Sequence, residues 1–253
     1  MSTLTPSIAR DWIARWDRQQ EGYLPDREER FTAIVDAVVA GVSRPDPLVL
    51  DLGCGPGSLS VRLLERVPRA TVVGIDTDPL LLALGRAAGV DVPGLSFADV
   101  NLGEPGWAAT LEADGPADAA VSTTALHWLS DPQLRAVYAE LAKALRPGGL
   151  LLNGDHFSAD ETPEIHRLTV DLAESLKERR FGDDRPEDWK QWWDAVLADP
   201  VLSGITQKRA TSAHHGSPAG RLDLHVDALR EAGFSEVGTL WQHGNNRVLC
   251  AVR

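Results

Sequence analysis

The chain has 253 residues, of which 37 are acidic and 25 are basic, giving a net charge of −12. Phosphate backbones bind clustered lysine and arginine, so this acidic balance argues against DNA or RNA as a partner. No apolar run approaches the roughly 20 residues of a membrane span. The start lacks a signal-peptide pattern and the two cysteines form no disulfide framework, so we predict a cytoplasmic monomer or homodimer that binds no membrane.

Two amphipathic helices are predicted before the first strand. Apolar residues recur at spacings of three and four in residues 8–20 and again in residues 26–40. The break between them falls at Gly22-Tyr23-Leu24-Pro25, and Asp26 is the expected N-cap of the second helix. Both apolar faces need a partner, so we expect the two helices to pack on the rest of the chain.

The central stretch is an apolar run from Leu48 to Leu52, which contains one acid and ends at three glycines in alternate positions. Such a run predicts a buried strand followed by a tight turn. Residues 58–67 then have the leucine and valine spacing of a helix. Strand, glycine loop and helix form a nucleotide-binding geometry, because glycine permits positive φ and a helix start offers unpaired N–H groups.

Strand and helix patterns then alternate along the chain. The strands are predicted at residues 70–76, 92–97, 117–122 and 150–153, and the helices at residues 79–88, 107–111 and 131–145. Arg146-Pro147-Gly148-Gly149 is expected to end the last of these helices and to turn the chain into the fifth strand. Five such units predict an α/β fold with helices on both faces of a parallel sheet.

The pattern changes after residue 157, where a stretch rich in charge and tryptophan predicts a helical cap. A further helix at residues 222–232 precedes two strands, at 234–241 and 247–252, whose connecting residues have the composition of a hairpin turn. The sequence therefore predicts a three-layer, Rossmann-like, seven-stranded, mostly parallel sheet with a terminal antiparallel hairpin. Its predicted parts are lid helices (residues 1–44), a cofactor-binding core (45–157), the cap (158–220) and a C-terminal helix and hairpin (221–253).

The pattern Asp51-x-Gly53-x-Gly55-x-Gly57, followed by Asp76 and Asp99, resembles the class I S-adenosylmethionine-dependent methyltransferases. The resemblance covers residues 48–153 and, more loosely, 222–253. In that family the glycine loop packs on the methionine half of the cofactor, the acid ending the second strand binds the ribose hydroxyls, and an acid after the third binds the adenine amine. The cofactor contacts that the resemblance implies are Asp51, Gly53, Cys54, Gly55, Gly57, Asp76, Thr77, Asp99, Val100 and Thr123.

A dinucleotide is the competing cofactor, because its fingerprint also follows a first strand and also uses an acid about 20 residues downstream. Here the third glycine comes one position early, giving GxGxG instead of GxGxxG. Asp51 also stands just before the loop, where a carboxylate would repel a pyrophosphate but tolerate a cationic sulfonium. Both features favour S-adenosylmethionine.

Residues that follow the strands should surround the acceptor, because ligands of open α/β sheets bind beyond the carboxyl ends of the strands. The segment Ala125-Leu126-His127-Trp128-Leu129 resembles the corresponding part of small-molecule methyltransferases related to trans-aconitate methyltransferase. His127 is the candidate general base, since imidazole titrates near neutral pH; otherwise it orients the substrate or supports the structure. Trp128 either walls the pocket or packs under the next helix. The predicted substrate contacts are Trp128, His156 and Tyr23.

The resemblance implies in-line transfer of a methyl group to a small organic acceptor, with S-adenosylhomocysteine as the product. We expect an oxygen acceptor, either a carboxylate, which needs no base, or a hydroxyl. Three alternatives stay open at this point: an acceptor at nitrogen or carbon, a protein substrate, and a non-catalytic cofactor-binding or partner protein of the same fold.

No metal is expected at the site. Ser122-Thr123-Thr124 follows the fourth strand where metal-dependent members of this fold carry acids, although Asp155 and His156 raise the alternative of a divalent ion. His166 and the pair His214-His215 lack the regular ligand spacing of a zinc site. Aromatic residues of the first helices and the cap form either a lid or packing anchors. They are Trp12, Trp16, Tyr23, Phe181, Trp189, Trp192 and Trp193.

Overall fold

The computed structural model describes residues 3–111, 115–157, 163–206 and 220–253. The strands are β1 (Leu48–Leu52), β2 (Thr71–Asp76), β3 (Leu95–Asp99), β4 (Ala117–Thr123), β5 (Leu145–His156), β6 (Glu236–His243) and β7 (Asn246–Val252). The α-helices are α1 (Pro6–Tyr23), α2 (Arg27–Gly41), α3 (Ser58–Arg66), α4 (Pro79–Ala88), α5 (Asp131–Ala144), α6 (Pro163–Phe181), α7 (Trp189–Ala198), α8 (Ser203–Thr206) and α9 (Leu222–Glu231). Short 3₁₀ turns span Trp107–Thr110 and Leu126–Trp128.

The strands form a seven-stranded sheet in the order β3-β2-β1-β4-β5-β7-β6. Strands β1 to β5 are mutually parallel, whereas β7 runs antiparallel between β5 and β6. This arrangement confirms the predicted fold class and the terminal hairpin. The strand order reverses between β1 and β4, which places a ligand crevice at the carboxyl ends of these two strands.

The two faces of the sheet are covered by different helices. On one face α2 and α3 bury Phe31, Ile34 and Leu63 against the sheet. On the other face α5 and α9 contribute Tyr138 and Leu229 to a second core. The apolar positions of these helices recur at helical spacing, so burying one face of each helix against the sheet fixes the three-layer architecture.

A third core lies among α1, α4 and α7. Trp12 and Trp16 of α1 pack edge-on against Trp192, with ring centroids 5.7 and 5.0 Å away, and Trp193 packs edge-on against Trp192 at 5.0 Å. Leu80 of α4 is fully buried in the same cluster. The apolar face of α1 thus has its partner in residues of both the core and the predicted cap.

Two local predictions need correction. The residues Arg146-Pro147-Gly148-Gly149 do not form a separate turn but lie within the long strand β5. A register shift between Ala117 and Ala119 of β4 accommodates them, and the Gly148 N–H donates to Arg253 O at 2.6 Å. Tertiary pairing therefore overrides the local turn composition.

Asp26 occupies the N-cap position of α2 but caps nothing through its side chain. Its carboxylate accepts hydrogen bonds from His243 Nδ1 and Asn246 Nδ2, both at 2.8 Å, and thereby ties the start of α2 to the terminal hairpin. These long-range partners replace the local capping bond that the sequence predicts.

Across the described residues, no helix is both long enough and apolar enough to span a bilayer.

Candidate functional site

The glycine loop follows β1 and is shaped by its backbone. Gly53, Gly55 and Gly57 all have positive φ angles, of 69°, 55° and 85°. The N–H groups of Gly53 and Cys54 donate to Ile75 O at 2.8 and 3.0 Å, which ties the loop to the end of β2. These φ values strongly favour glycine, as the sequence pattern predicts.

Gly53 has a second requirement besides its φ angle. A Cβ atom at this position would lie 2.3 Å from the Cβ of Ala125, which belongs to the segment after β4. The glycine loop therefore touches the segment that carries His127, and a side chain at Gly53 would push the two apart.

Asp76 ends β2 and reaches back to the loop. One carboxylate oxygen accepts from Gly55 N at 2.8 Å, and the other accepts from Thr77 N at 2.7 Å and Asp78 N at 2.9 Å. Burial raises the pKa of Asp76, although these backbone hydrogen bonds oppose the effect. A carboxylate has roughly four acceptor positions, so Asp76 both fixes the loop and retains capacity for a ligand hydroxyl.

Asp99 ends β3 directly beside Asp76, since the two residues are register partners in the parallel β2–β3 pair. Its side chain is exposed, and the Val100 N–H donates to Asp76 O at 3.1 Å. The structure thus brings together the two acids that the resemblance assigns to ribose and adenine, at one edge of the sheet.

Asp51 lies beneath the loop and is completely buried. One carboxylate oxygen accepts from Ser60 Oγ at 2.6 Å, whereas the other has no hydrogen-bond partner in the described part of the chain. Burial, with the nearby charge of Asp76 adding to it, raises the pKa of Asp51 to about 7. A cationic ligand group would satisfy such a carboxylate, and the buried hydroxyl of Thr123 likewise lacks a partner among the described residues. Both observations fit the methionine end of the proposed cofactor.

Cys54 is buried in the loop, where its thiol donates weakly to Gly55 O at 3.4 Å. Burial raises the pKa of this thiol well above its ordinary value, and the charges of Asp51 and Asp76 act in the same direction. The thiol therefore stays protonated, and Cys54 serves as a wall of the loop and not as a nucleophile.

Thr124 follows β4 and has a φ of +49°. Within the described ranges, every other residue with a positive φ is a glycine. Its N–H donates to Gly154 O at 2.9 Å, which fastens the segment to β5. A β-branched residue in this region is strained. The sequence gives no signal of this strain, which lies beside Ala125 at the junction with the glycine loop.

His127, in the 3₁₀ turn after β4, is held by Asp155, which lies near the end of the neighbouring strand β5. Its Nδ1 donates to the two carboxylate oxygens of Asp155 at 3.0 and 2.9 Å, and Asp155 is buried. Burial raises the pKa of Asp155, but the hydrogen bond and charge of His127, with the charge of Arg30, outweigh it, so the pKa lies below its ordinary value. Asp155 is therefore a carboxylate that orients the imidazole and directs Nε2 away from itself.

Sequence reasoning considered Asp155 only as a metal ligand and missed this pair. The usable signal was positional, because His127 follows the carboxyl end of β4 and Asp155 lies at the carboxyl end of β5, the neighbouring strand in the sheet. Among the described residues, no group of three or more His, Cys, Asp or Glu side chains is placed to hold a metal ion. His166 is exposed on α6, and His214 and His215 lie outside the described residues.

The predicted substrate residues lie in two neighbouring places. Trp128 is 52% exposed, with its ring centroid 4.7 Å from that of His127. Tyr23 and His156 instead line a small cavity between α1, α6 and the hairpin. Burial lowers the pKa of the His156 imidazole. The backbone N–H of His156 donates to Asp155 Oδ1 at 2.9 Å. Asp155 thus links the two places.

Arg30 is a buried charge that sequence reasoning missed. Its Nη1 donates to Asn246 Oδ1 at 3.0 Å, and burial lowers its pKa to about 10 although Asp155 and Asp26 oppose the shift. A Cβ at Gly154 would lie 2.7 Å from Arg30 Cδ, so this glycine of β5 makes room for the arginine. Arg30 therefore places a buried positive charge between β5 and the terminal hairpin.

Comparison with known proteins gives consistent results. A family model described as "Methyltransferase domain" matches residues 49–149. A trans-aconitate 2-methyltransferase of Methylobacterium nodulans is 33% identical over 81% of this chain and 77% of its own length. A protein of the same name from Deinococcus radiodurans is 35% identical over 74% of this chain and 64% of its own length.

Solved structures share the fold. The magnesium protoporphyrin IX methyltransferase of Synechocystis PCC 6803, solved with bound S-adenosylhomocysteine, superposes with a TM-score of 0.56 at 19% identity, over 98% of this chain and 99% of its own. The relatives and the site agree on the methyl donor, S-adenosylmethionine, in preference to a dinucleotide. The chain belongs to the class I S-adenosylmethionine-dependent methyltransferases.

Proposed function

We propose that this enzyme methylates a carboxylate oxygen of a small organic acid. The observation that carries the proposal is the His127–Asp155 pair, which presents an oriented imidazole beside the end of β4. The relatives named trans-aconitate 2-methyltransferase support an acid as the acceptor. The proposed donor contacts are the glycine loop with Asp51, the acids Asp76 and Asp99 with their neighbours Thr77 and Val100, and Thr123.

The reaction needs no proton removal when the acceptor is a carboxylate, because this group is already ionised at neutral pH. S-Adenosylmethionine, held by the proposed donor contacts, would supply an activated methyl group with a neutral thioether as its leaving group, so that an aligned carboxylate oxygen would need no further activation. The residues of this chain contribute alignment of the acceptor and exclusion of water, which together supply most of the acceleration.

His127 then acts as a hydrogen-bond donor. With Nδ1 bonded to Asp155, a protonated imidazole offers its Nε2 proton to the oxygen that does not attack, and Asp155 carries the balancing negative charge. Trp128, His156 and Tyr23 are the proposed walls of the acceptor pocket. In this role His127 donates a hydrogen bond and removes no proton from the acceptor.

A hydroxyl acceptor is the second candidate, and the same His–Asp geometry favours it. A neutral imidazole oriented by a carboxylate is an arrangement typical of general bases. In that case His127 removes the hydroxyl proton. The two candidates therefore differ in their product, a methyl ester or a methyl ether, and in whether His127 donates or accepts a proton.

The test uses methyl-labelled S-adenosylmethionine with a panel of small di- and tricarboxylic acids and a matched panel of alcohols and phenols. The proposal predicts label in base-labile methyl esters. Label in a base-stable methyl ether establishes the hydroxyl candidate instead. His127→Asn, which keeps a side-chain donor, should retain more ester formation than His127→Ala.

A further inference from the structure

Trp16 of α1 lies directly above the glycine loop. A Cβ atom placed on Gly55 would be 4.0 Å from Trp16 Cζ2 and 3.9 Å from Leu81 Cδ1. These are ordinary van der Waals distances, so the indole edge and the leucine approach the loop at the residue whose N–H bonds Asp76. An aromatic wall therefore stands at the point where the cofactor must pass closest to the backbone.

The neighbouring residue, Asp17, fastens α1 at this position. Its carboxylate accepts from Ser58 Oγ at 2.6 Å, from Arg27 Nη2 at 2.9 Å and from Arg62 Nη2 at 3.4 Å. Ser58 is the first residue of α3 and comes directly after Gly57. The first helix is thus bonded to the helix start that follows the glycine loop.

Trp16 differs from the other tryptophans of its cluster. It is half-buried and packs edge-on against Trp192, as Trp12 does. Trp12 lies in the core of the cluster and is only 8% exposed. None of its atoms is among the nearest neighbours of a Cβ atom placed on Gly53, Gly55 or Gly57. The two tryptophans share the packing role, whereas only Trp16 of this pair also approaches Gly55.

We infer that Trp16 is a cofactor-binding residue, which packs against the methionine half of S-adenosylmethionine over Gly55, and that Asp17 holds it there as a positioning residue. In this position the indole excludes water from beside the aliphatic chain and the sulfonium. The inference concerns the methyl donor, so it goes beyond the identity of the acceptor.

The test measures binding of S-adenosylhomocysteine by isothermal titration calorimetry, with no acceptor present. Trp16→Ala should weaken the affinity roughly tenfold, which corresponds to the loss of one aromatic contact. Trp12→Ala is the matched control, since it removes the same packing on Trp192 away from the loop. It should lower the melting temperature at least as much as Trp16→Ala while keeping the affinity within about twofold.

Trp16→Phe keeps an aromatic ring and should fall between the wild type and Trp16→Ala, which provides a measurement if the alanine variant does not fold. S-Adenosylhomocysteine should also slow hydrogen exchange of the α1 amides in the wild type and do so less in Asp17→Asn. Equal loss of affinity in the Trp12 and Trp16 variants, or unchanged affinity in Trp16→Phe and Trp16→Ala, would overturn the inference. A carboxylate acceptor that fails its own test leaves this result untouched.

Discussion

The site has a proposed donor side, around the glycine loop, and a proposed acceptor side, around His127, and the two differ in which parts of the chain form them. The proposed donor side is centred on one continuous stretch, residues 51–57, whose N–H groups are held in shape by hydrogen bonds to Ile75 O and to the Asp76 carboxylate. The proposed acceptor side is made of side chains from distant parts of the chain, such as His127 with Asp155 and Arg30 with Asn246. The geometry of the glycine loop is therefore a property of the backbone, and the geometry of the proposed acceptor side is a property of side-chain pairs.

This difference has a functional consequence. A backbone cradle tolerates changes in neighbouring side chains but not an added Cβ atom, so the same methyl donor is retained while sequences diverge. A side-chain pocket changes with single substitutions, which suits a family whose members act on different acceptors. Changes on the donor side should therefore affect cofactor binding, and changes on the acceptor side should affect turnover.

The largest effect is expected from Gly53→Ala. The new Cβ meets Ala125 Cβ at 2.3 Å, and alanine must adopt a φ of +69°. Overpacking and the left-handed backbone together cost several kcal/mol, so affinity for S-adenosylhomocysteine should fall by at least about 100-fold. Calorimetric titration measures the loss.

Two further variants separate the causes of that loss. Adding Ala125→Gly removes the steric contact but leaves the φ penalty, so it should restore part of the affinity. Gly238→Ala, on exposed β6 with no atom within 4 Å of the added Cβ, should change neither affinity nor fold. Wild-type affinity in Gly53→Ala would show that the backbone conformation of the loop does not determine cofactor binding.

Asp155→Asn should give the next largest effect, on turnover. Loss of the carboxylate removes the charge that orients and balances the imidazole of His127, so kcat should fall about 100-fold while the affinity for S-adenosylhomocysteine stays within about twofold. Steady-state measurement of kcat, together with calorimetric titration of S-adenosylhomocysteine, checks this prediction.

Asp118→Asn is the matched control for Asp155→Asn. Asp118 is equally buried, but it accepts from Arg146 Nε at 2.7 Å and Leu48 N at 2.9 Å near the amino end of β1. This variant should lose stability and keep its kcat. Equal loss of kcat in the two variants would mean that Asp155 acts only through the fold.

The same contrast explains what the sequence could and could not predict. The glycine loop, the acids that end β2 and β3, and the alternation of strands and helices follow from local patterns, because each residue's role depends on its neighbours in the chain. The Arg30–Asn246 pair joins residues 216 positions apart. The Asp26 carboxylate makes no capping bond to α2 and instead accepts a hydrogen bond from Asn246 of the hairpin. No local pattern encodes such pairs. Residues 146–149 lie where the β4–β5 register shifts between Leu145 and Leu150, and their backbone bonds to Arg253 instead of closing a separate turn.

Asp51→Asn should produce an effect that depends on pH. The folded pKa of Asp51, about 7, lies above the ordinary value of 3.8, so its stabilising contribution is complete below about pH 4 and is lost as the pH rises through about 7. The unliganded variant should therefore match the wild type near pH 4 and be more stable at pH 8, by up to about 4 kcal/mol at about 1.4 kcal/mol per pKa unit. Urea unfolding at both pH values measures the difference.

The donor side adds a second expectation for the same variant. A neutral amide cannot balance a cationic ligand group, so affinity for S-adenosylmethionine should fall even though the unliganded protein gains stability at pH 8. A variant that is stabilised equally at pH 4 and pH 8 would contradict the assigned titration. Unchanged affinity would show that the unpaired oxygen of Asp51 does not face the cofactor.

The smallest effect is expected at the junction of the two sides, in Thr124→Gly. Relief of the positive φ at Thr124 is worth about 1–3 kcal/mol, and the added flexibility of glycine in the unfolded chain offsets about 0.5–1 kcal/mol of it. The melting temperature should therefore rise by about 2–4 °C. Thr71→Gly, on the exposed start of β2 where φ is not positive, should lower it instead. If both variants lower the melting temperature, then the bond from Thr124 N to Gly154 O holds this segment without strain, and its conformation is set by packing on Gly53 alone.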